Sequence, residues 1–263
     1  MDEILDVILI THNRLDQTIR CLDALYGYTH VPFKLTVIDD STDLTEQWFN
    51  LFAIEKGNVN YIRPKETIKC AGHAINIGLR YTTSEIILFL TASTYVQLGY
   101  LVQALRVMEE TPDAGAVGFK LLYPDGRIIE AGAMVNPATA ERGNVGMHEA
   151  GYLFCHVREV DVIGFAVVLL RREALNFEED FYIGFRGWED VHNCLEMRER
   201  GWKIIYCGLG AAIHELSSSQ GKIGADGQAE CSENGRRFIE RWAGNTKWTE
   251  SLPLGERDRR GIK

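Results

Sequence analysis

The chain has 263 residues, of which 46% are hydrophobic and 25% are charged, and its formal net charge is −9 at pH 7. That length and composition are ordinary for a globular protein that buries a sizeable core. The negative charge argues against a protein that is held to nucleic acid by phosphate contacts, so nucleic acid is not an expected partner.

Export, membrane insertion and disulfide crosslinking are not indicated either. The start, Met1-Asp2-Glu3, has no basic region, so no signal peptide is expected. The longest apolar run, Val162 to Leu170, is too short to span a bilayer as a helix. The six cysteines are scattered without a CxxC pair, which indicates reduced thiols. These features predict a cytoplasmic protein and leave its oligomeric state open.

The first part of the chain alternates strand and helix patterns at the spacing of βα units. Strands are predicted at 7–10, 35–38, 58–62 and 86–90, and helices around 19–25, 48–52 and 71–79. Polar residues cluster just after the strands, at the sheet edge where open parallel sheets bind ligands. The first strand is followed by Thr11-His12-Asn13-Arg14 and not by a glycine-rich dinucleotide fingerprint. A dehydrogenase is therefore only a distant alternative.

The second part of the chain changes character. A hairpin is predicted over 121–129 around the turn Pro124-Asp125-Gly126, and a short strand over 202–206. Residues 160–170 are strand-like with an interruption at Gly164. The segment Ser217 to Gly235, rich in serine and glycine, predicts a mobile loop that closes over a bound ligand as a lid. An amphipathic helix with Phe238, Ile239 and Trp242 follows.

An acidic pair, Glu189 and Asp190, stands beside Trp188 at the start of a helical pattern. The dipole of a helix favours ionised carboxylates at its N-terminus. A carboxylate positioned there could take a proton from an attacking hydroxyl. The alternative is that the pair merely caps the helix, and the pair taken alone favours the cap.

Several short motifs, in their order along the chain, resemble those of the family 2 glycosyltransferases. The resemblance covers roughly residues 4–245 and is carried by the collinear order of the matches. The matching segments are Val7 to Arg14, Leu22-Asp23-Ala24-Leu25, Asp39-Asp40-Ser41-Thr42-Asp43, Gly72 with Ala74 to Gly78, Gly164 to Arg172, Trp188-Glu189-Asp190 and His214.

The resemblance implies a GT-A (Rossmann-like) α/β fold, in which helices flank a mixed, mostly parallel central sheet within a single large domain. Residues 1–94 would form the half that binds a nucleotide sugar, residues 95–245 the acceptor-binding and catalytic half, and residues 246–263 a C-terminal tail. The implied activity is that of an inverting hexosyl- or deoxyhexosyltransferase. Its partners would be a nucleotide-sugar donor and a glycan or other hydroxyl-bearing acceptor.

The resemblance also implies roles for individual residues. Asp190 would be the general base, supported by Glu189. The donor would contact residues from both halves, namely Thr11, Asn13, Arg14, Asp39, Asn76, Thr91, Ser93 and His214. The acceptor would lie against Gly164, Phe165 and Trp188.

Four of these assignments have structural alternatives. Asp39 is expected to bind the base or ribose, but it could also form an Asx turn at a strand end. Arg14 could lie near phosphate or be a solvated surface charge. His214 could face the diphosphate or a metal, or be structural. Trp188 could stack on a sugar or simply pack at the helix start.

The metal motif of the family, D-x-D, should close the fourth strand, but Thr91-Ala92-Ser93-Thr94 follows Leu90 here. Hydroxyls are poor replacements for the anionic oxygens that a divalent cation prefers. Mn²⁺ or Mg²⁺ could still be held weakly through donor phosphates, or cations and helix ends could stabilise the leaving group. The third explanation is a non-catalytic glycan- or nucleotide-binding relative with the same fold. No residue is therefore predicted to be a metal ligand.

Overall fold

The structure is a computed structural model that describes residues 4–184, 187–215 and 225–249. Its strands are β1 Leu5–Thr11, β2 Phe33–Asp39, β3 Val59–Ile62, β4 Ile86–Thr91, β5 Thr94–Val96, β6 Ala114–Leu122, β7 Ile128–Glu130, β8 Ala133–Val135, β9 Arg142–Asn144, β10 Val157–Val160, β11 Val167–Arg171 and β12 Lys203–His214. Its α-helices are α1 Leu15–Tyr28, α2 Thr45–Lys56, α3 Ala71–Leu79, α4 Tyr100–Glu110, α5 Glu189–Glu199 and α6 Ala225–Trp242.

One mixed sheet organises this part of the chain, with the strand order β10-β12-β6-β11-β4-β1-β2-β3. β1 is parallel to both β2 and β4. β11 is antiparallel to β4 and to β6, so β6 runs in the same direction as β4. β1, β4 and β6 therefore end at the same edge. The strand pair β4–β11 joins the two predicted halves into a single domain, and the predicted mixed, mostly parallel α/β fold is confirmed.

Helices cover both faces of the sheet because side chains along each buried strand point alternately to opposite faces. Val7 and Leu9 of β1 belong to an apolar cluster that includes residues of α1 and α4. Ile8, between them, belongs to the other cluster, together with Ile75 of α3 and with residues of α5 and α6. The continuous apolar runs of the predicted parallel strands thus reflect burial on both faces.

The predicted hairpin is confirmed, since β6 and β7 pair in antiparallel fashion. The single strand predicted over 160–170 is wrong. β10 ends at Val160 and β11 begins at Val167, and the two occupy separate places in the sheet. The residues between them leave the sheet, and most of them remain buried. An apolar run cannot by itself distinguish that arrangement from a strand. The last strand, β12, is also longer than predicted.

The predicted lid over Ser217 to Gly235 is wrong for its second half, because residues from Ala225 onward form α6. Ion pairs between side chains four residues apart, Glu233–Arg237 and Arg236–Glu240, support this helix despite its polar sequence. Residues 216–224, the first part of the predicted lid, lie outside the described residues.

The predicted C-terminal tail begins later than expected. Trp248 lies in a short 3-10 helix, Lys247–Thr249, and is fully buried. Its carbonyl accepts a hydrogen bond of 3.1 Å from Nε of Arg198. Trp248 therefore belongs to the core, whereas Thr246 and Lys247 are exposed, and residues 250–263 lie outside the described part of the chain. Among the described helices, none is long and apolar enough to cross a membrane.

Candidate active site

A cavity of about 660 Å³ opens where β1 and β4 end. The loops after β1 and β4 line it, and the start of α5 supplies Glu189 and Asp190. Of the residues predicted for the site, the cavity wall brings together Asn13, Arg14, Thr91, Ser93, Phe165, Glu189, Asp190 and His214. Residues that are far apart in the chain thus meet at the predicted sheet edge.

The loop after β1 has an unusual backbone. Asn13 and Arg14 both adopt the left-handed conformation, with φ of 56° and 57°. Such conformations cost energy in residues other than glycine, and surrounding contacts must hold them. The side chain of Asn13 supplies these contacts, because its Oδ1 accepts hydrogen bonds from the backbone N–H groups of Thr42 and Asp43 at 2.8 and 3.2 Å. Asn13 therefore shapes the cavity edge, and Arg14, exposed beside it, is the cation that this loop presents.

Asp39 does not lie on the cavity wall, so the geometry does not support its predicted contact with a nucleotide. Its side chain is fully buried. It accepts hydrogen bonds of 3.0 Å from the Ser41 N–H and 2.6 Å from the Tyr61 hydroxyl, so its oxygens are used within the protein. Burial, together with the Asp39 carboxylate, raises the pKa of the Tyr61 hydroxyl. The sequence predicted a carboxylate at this strand end. Which of the adjacent acids, Asp39 or Asp40, faces inward depends on the direction in which the side chains of β2 point.

Asp40, the next residue, does not line the cavity either, but its side chain contacts a residue that does. Its side chain is about one-third exposed, and its Oδ1 lies 2.7 Å from Nδ1 of His12, which lines the cavity. The Asn13 amide donates to the other ring nitrogen, Nε2, over 3.2 Å. A neutral His12 must therefore carry its proton on Nδ1 and donate it to Asp40. The sequence analysis did not select His12 or Asp40, although both lie in its matching segments.

Four other predicted residues lie behind the wall. Thr11 is buried and its hydroxyl is 3.0 Å from that of Thr18. Asn76 donates its amide to the carbonyl of Phe177 over 3.0 Å, so it fixes the chain behind the cavity. The indole of Trp188 stacks on Phe238 of α6, with ring centroids 4.8 Å apart. Gly164 uses its N–H to hydrogen-bond a buried carboxylate, and its neighbour Phe165 reaches the cavity.

The acidic pair does not occupy the N-cap position of α5. Trp188 occupies the N-cap position of α5, in the left-handed conformation with φ of 78° and without a side-chain capping bond. Glu189 and Asp190 are the first two residues of the helix, and both line the cavity. One oxygen of Asp190, Oδ1, accepts the N–H of Val191 at 2.8 Å. The other, Oδ2, lies 3.4 Å from Nη1 of Arg142, a residue that the sequence analysis missed.

The end of β4 does not suit a divalent cation. The Thr91 hydroxyl is 2.9 Å from that of Thr94 and within reach of the Ala166 carbonyl, so it is occupied within the protein. Burial lowers the pKa of His214 to about 4, which leaves the imidazole neutral near pH 7. A neutral imidazole can ligate a metal, but the described residues place no group of three histidine, cysteine or carboxylate ligands around this cavity.

The described residues do contain one such group elsewhere, formed by Glu178, His192 and Glu196. The indole N–H of Trp242 donates to Nδ1 of His192 over 3.1 Å. A neutral His192 must then hold its proton on Nε2, the atom that faces Glu196. A metal-bound histidine normally donates its second N–H to an acceptor, and here that second nitrogen meets a donor. The group therefore fits a buried contact between His192 and Glu196, with Nε2 and Oε1 3.6 Å apart, and not a metal site.

Comparison with known proteins places this geometry in a family context. Residues 6–175 match the family model described as glycosyl transferase family 2. The chain is 23% identical over 233 residues to the uncharacterized protein y4gI of Sinorhizobium fredii, which covers 83% of this chain. The present chain spans only about a quarter (25%) of that relative's length.

Solved structures share the fold. The structure of GalNAc-T7 with UDP, GalNAc and Mn²⁺ superposes with a TM-score of 0.73 and 15% identity, over 97% of this chain and 53% of that one. The mannosyltransferase PcManGT of Pyrobaculum calidifontis, in complex with GDP-Man and Mn²⁺, superposes with a TM-score of 0.59 and 18% identity, over 92% of this chain and 72% of that one. At such identities the likeness shows the fold alone, which is the predicted GT-A fold.

Proposed function

The chain belongs to glycosyl transferase family 2, and on that premise we propose that it transfers a hexosyl or deoxyhexosyl group from a nucleotide sugar to an acceptor hydroxyl with inversion. The observation that carries the proposal is the position of Glu189 and Asp190 at the start of α5. There they face the same cavity as the loops after β1 and β4. A transfer of this kind requires a carboxylate within the same cavity as the groups that bind the donor.

In this mechanism Asp190 accepts the proton of the acceptor hydroxyl as its oxygen attacks the anomeric carbon. The bond between that carbon and the diphosphate breaks on the opposite side, which inverts the configuration. Phe165 and the backbone at Gly164 would flank the acceptor, and the donor would occupy the side of Arg14, Thr91, Ser93 and His214. No step is assigned to a metal, because the residues at the end of β4 do not fit one.

The leaving diphosphate then needs another source of positive charge. Arg14 is the side chain that the loop after β1 offers for this purpose, because it is exposed and lines the cavity. A guanidinium can bind phosphate oxygens through two parallel hydrogen bonds. We assign the nucleoside end of the donor to the His12–Asp40 pair, whose carboxylate can accept hydrogen bonds from a base or ribose.

The proposal is tested directly by incubating the purified chain with UDP- and GDP-sugars and monosaccharide acceptors, and by measuring released nucleoside diphosphate and product configuration. Inverted product supports the mechanism, and retained configuration would contradict it.

A non-catalytic role is the competing function, favoured by the hydroxyls that replace the D-x-D carboxylates. Binding of UDP or GDP without turnover of any donor would favour that role.

We expect turnover to be independent of added divalent metal. Thr91, Ala92 and Ser93 offer no carboxylate at the end of β4, so a chelator should remove nothing that the chemistry requires. The measurement is nucleoside diphosphate release with EDTA, and again with Mn²⁺ or Mg²⁺ added. Turnover that EDTA abolishes and micromolar Mn²⁺ restores would refute this expectation.

We expect Asp40→Ala to weaken the binding of UDP or GDP by roughly 1–3 kcal/mol, the usual effect of losing a hydrogen bond to a charged group. Its melting temperature should change little, because Asp40 is partly exposed. Asp39→Ala is the informative comparison, since it strips a buried acceptor from Ser41 and Tyr61 and should mainly lower stability. Calorimetry and thermal melts separate the two effects. Equal nucleotide affinity in Asp40→Ala and the unmodified chain would exclude the assigned contact.

A further inference from the structure

Three charged side chains form a cluster between the β7–β9 segment and the start of α5. Glu130, the last residue of β7, has 3% of its side chain exposed and forms an ion pair with Nη2 of Arg142 in β9. The other terminal nitrogen of Arg142, Nη1, lies 3.4 Å from Oδ2 of Asp190. A single guanidinium thus bridges a buried carboxylate and the carboxylate that faces the cavity.

Glu130 has a second contact that leads to the cavity. Its other oxygen, Oε1, accepts a 2.7 Å hydrogen bond from the backbone N–H of Gly164. Gly164 precedes Phe165, which lines the cavity. The same buried carboxylate therefore fixes the backbone beside Phe165 and, through Arg142, contacts Asp190.

The charges of the cluster hold it together. Burial lowers the pKa of the Arg142 guanidinium, but the carboxylates of Glu130 and Asp190 raise it by more, so Arg142 stays charged. Burial raises the pKa of Glu130, and the Arg142 cation opposes that change. A buried charge that loses its partner is strongly unfavourable, so each member constrains the position of the next.

We propose that Arg142, held by Glu130, is a positioning residue that orients the Asp190 carboxylate towards the acceptor. The proposal rests on the function proposed above. Asp190 Oδ1 is held by the Val191 N–H and Oδ2 by Arg142, so both rotation and tilt of the carboxylate are fixed. Fixed orientation matters because a displacement of about 1 Å at a reacting group can cost about 100-fold in rate.

The test uses Arg142→Met, which keeps the length of the side chain and removes its charge, and Arg142→Lys, which keeps the charge. Turnover is followed as release of UDP or GDP from the corresponding sugars. For Arg142→Met we expect kcat to fall by about 10- to 100-fold with the KM for the donor nearly unchanged, because the donor lies elsewhere in the cavity. Arg142→Lys should recover part of the lost kcat, because lysine keeps the positive charge. The recovery should be incomplete, because lysine lacks the planar guanidinium that contacts two carboxylates at once.

Loss of folding could imitate this result, so a further variant is needed. Glu130→Gln/Arg142→Met removes both buried charges together and should melt at a higher temperature than Arg142→Met alone. Its kcat should remain low. Arg127→Met is the matched control, because Arg127 is an exposed arginine of the same region that pairs with Asp125 on the surface. Recovery of kcat in the stable double variant, or an equal loss in Arg127→Met, would overturn the proposal.

A separate outcome would concern the proposed function alone. If the unmodified chain released nucleoside diphosphate from no donor, the glycosyltransferase function would fail while the cluster stayed testable. Melting temperatures of Arg142→Met, Asp190→Asn and the combined variant Arg142→Met/Asp190→Asn then form a cycle. Non-additive shifts support an Arg142–Asp190 contact that orients the carboxylate, and additive shifts would overturn it.

Discussion

Asp190→Asn is expected to lower turnover by about 10²–10⁴-fold, the usual contribution of general-base assistance. Asparagine keeps the shape of the side chain and still accepts the Val191 N–H, but it cannot take a proton from the acceptor. Affinity for UDP or GDP should be nearly unchanged, because the predicted donor contacts lie across the cavity. The measurements are nucleoside diphosphate release, nucleotide affinity by calorimetry and melting temperature on the same preparation.

The chain provides a matched control for this substitution. Asp16 is the second residue of α1, as Asp190 is of α5, and its side chain is 77% exposed. Asp16→Asn removes the same favourable charge from a helix N-terminus without touching the cavity. We expect it to have full turnover, and we expect Glu189→Gln to lose less than Asp190→Asn. Full activity in Asp190→Asn would refute the mechanism.

The second large effect concerns stability. Arg198 of α5 has a fully buried side chain that donates from Nη1 to Glu159 at 2.9 Å and from Nε to the carbonyl of Trp248 at 3.1 Å. Burial lowers the pKa of Arg198, and the Glu159 carboxylate opposes that change. Arg198→Met would leave the Glu159 carboxylate without this cation. Removing one partner of such a buried pair costs about 3–5 kcal/mol of unfolding free energy.

Urea denaturation of the variant and the unmodified chain measures this loss. Arg106→Met is the control, because Arg106 forms its ion pair with Glu110 across one helical turn on the surface, with 65% of its side chain exposed. Exposed pairs contribute little, so this variant should unfold at the same urea concentration as the parent. Equal losses in the two variants would show that burial of Arg198 is not what makes it stabilising.

The elements and the fold class that local sequence patterns determine were predicted correctly. Apolar runs followed by polar residues predicted β1, β2 and β4, and the order of short motifs predicted the mixed sheet and the family. The polar residues after the first and fourth strands were predicted to share one sheet edge, and Asn13, Arg14 and Ser93 line the cavity there. These predictions succeeded because parallel strands joined by helices must end at a common edge, whatever their loops contain.

The folded chain alone decided which side chains face the cavity. Asp39 and Asp40 are both acids in one motif, and only the direction of β2 buries the first and exposes the second. Arg142 could not be selected, because its contact with Asp190 depends on how β9 packs beside α5. The positions of two tryptophans were also decided by packing. Trp188 stacks on Phe238 of α6, and the carbonyl of Trp248 accepts a hydrogen bond from the buried Arg198. Sequence patterns report the period and order of elements, whereas contacts between distant segments depend on packing that no local pattern encodes.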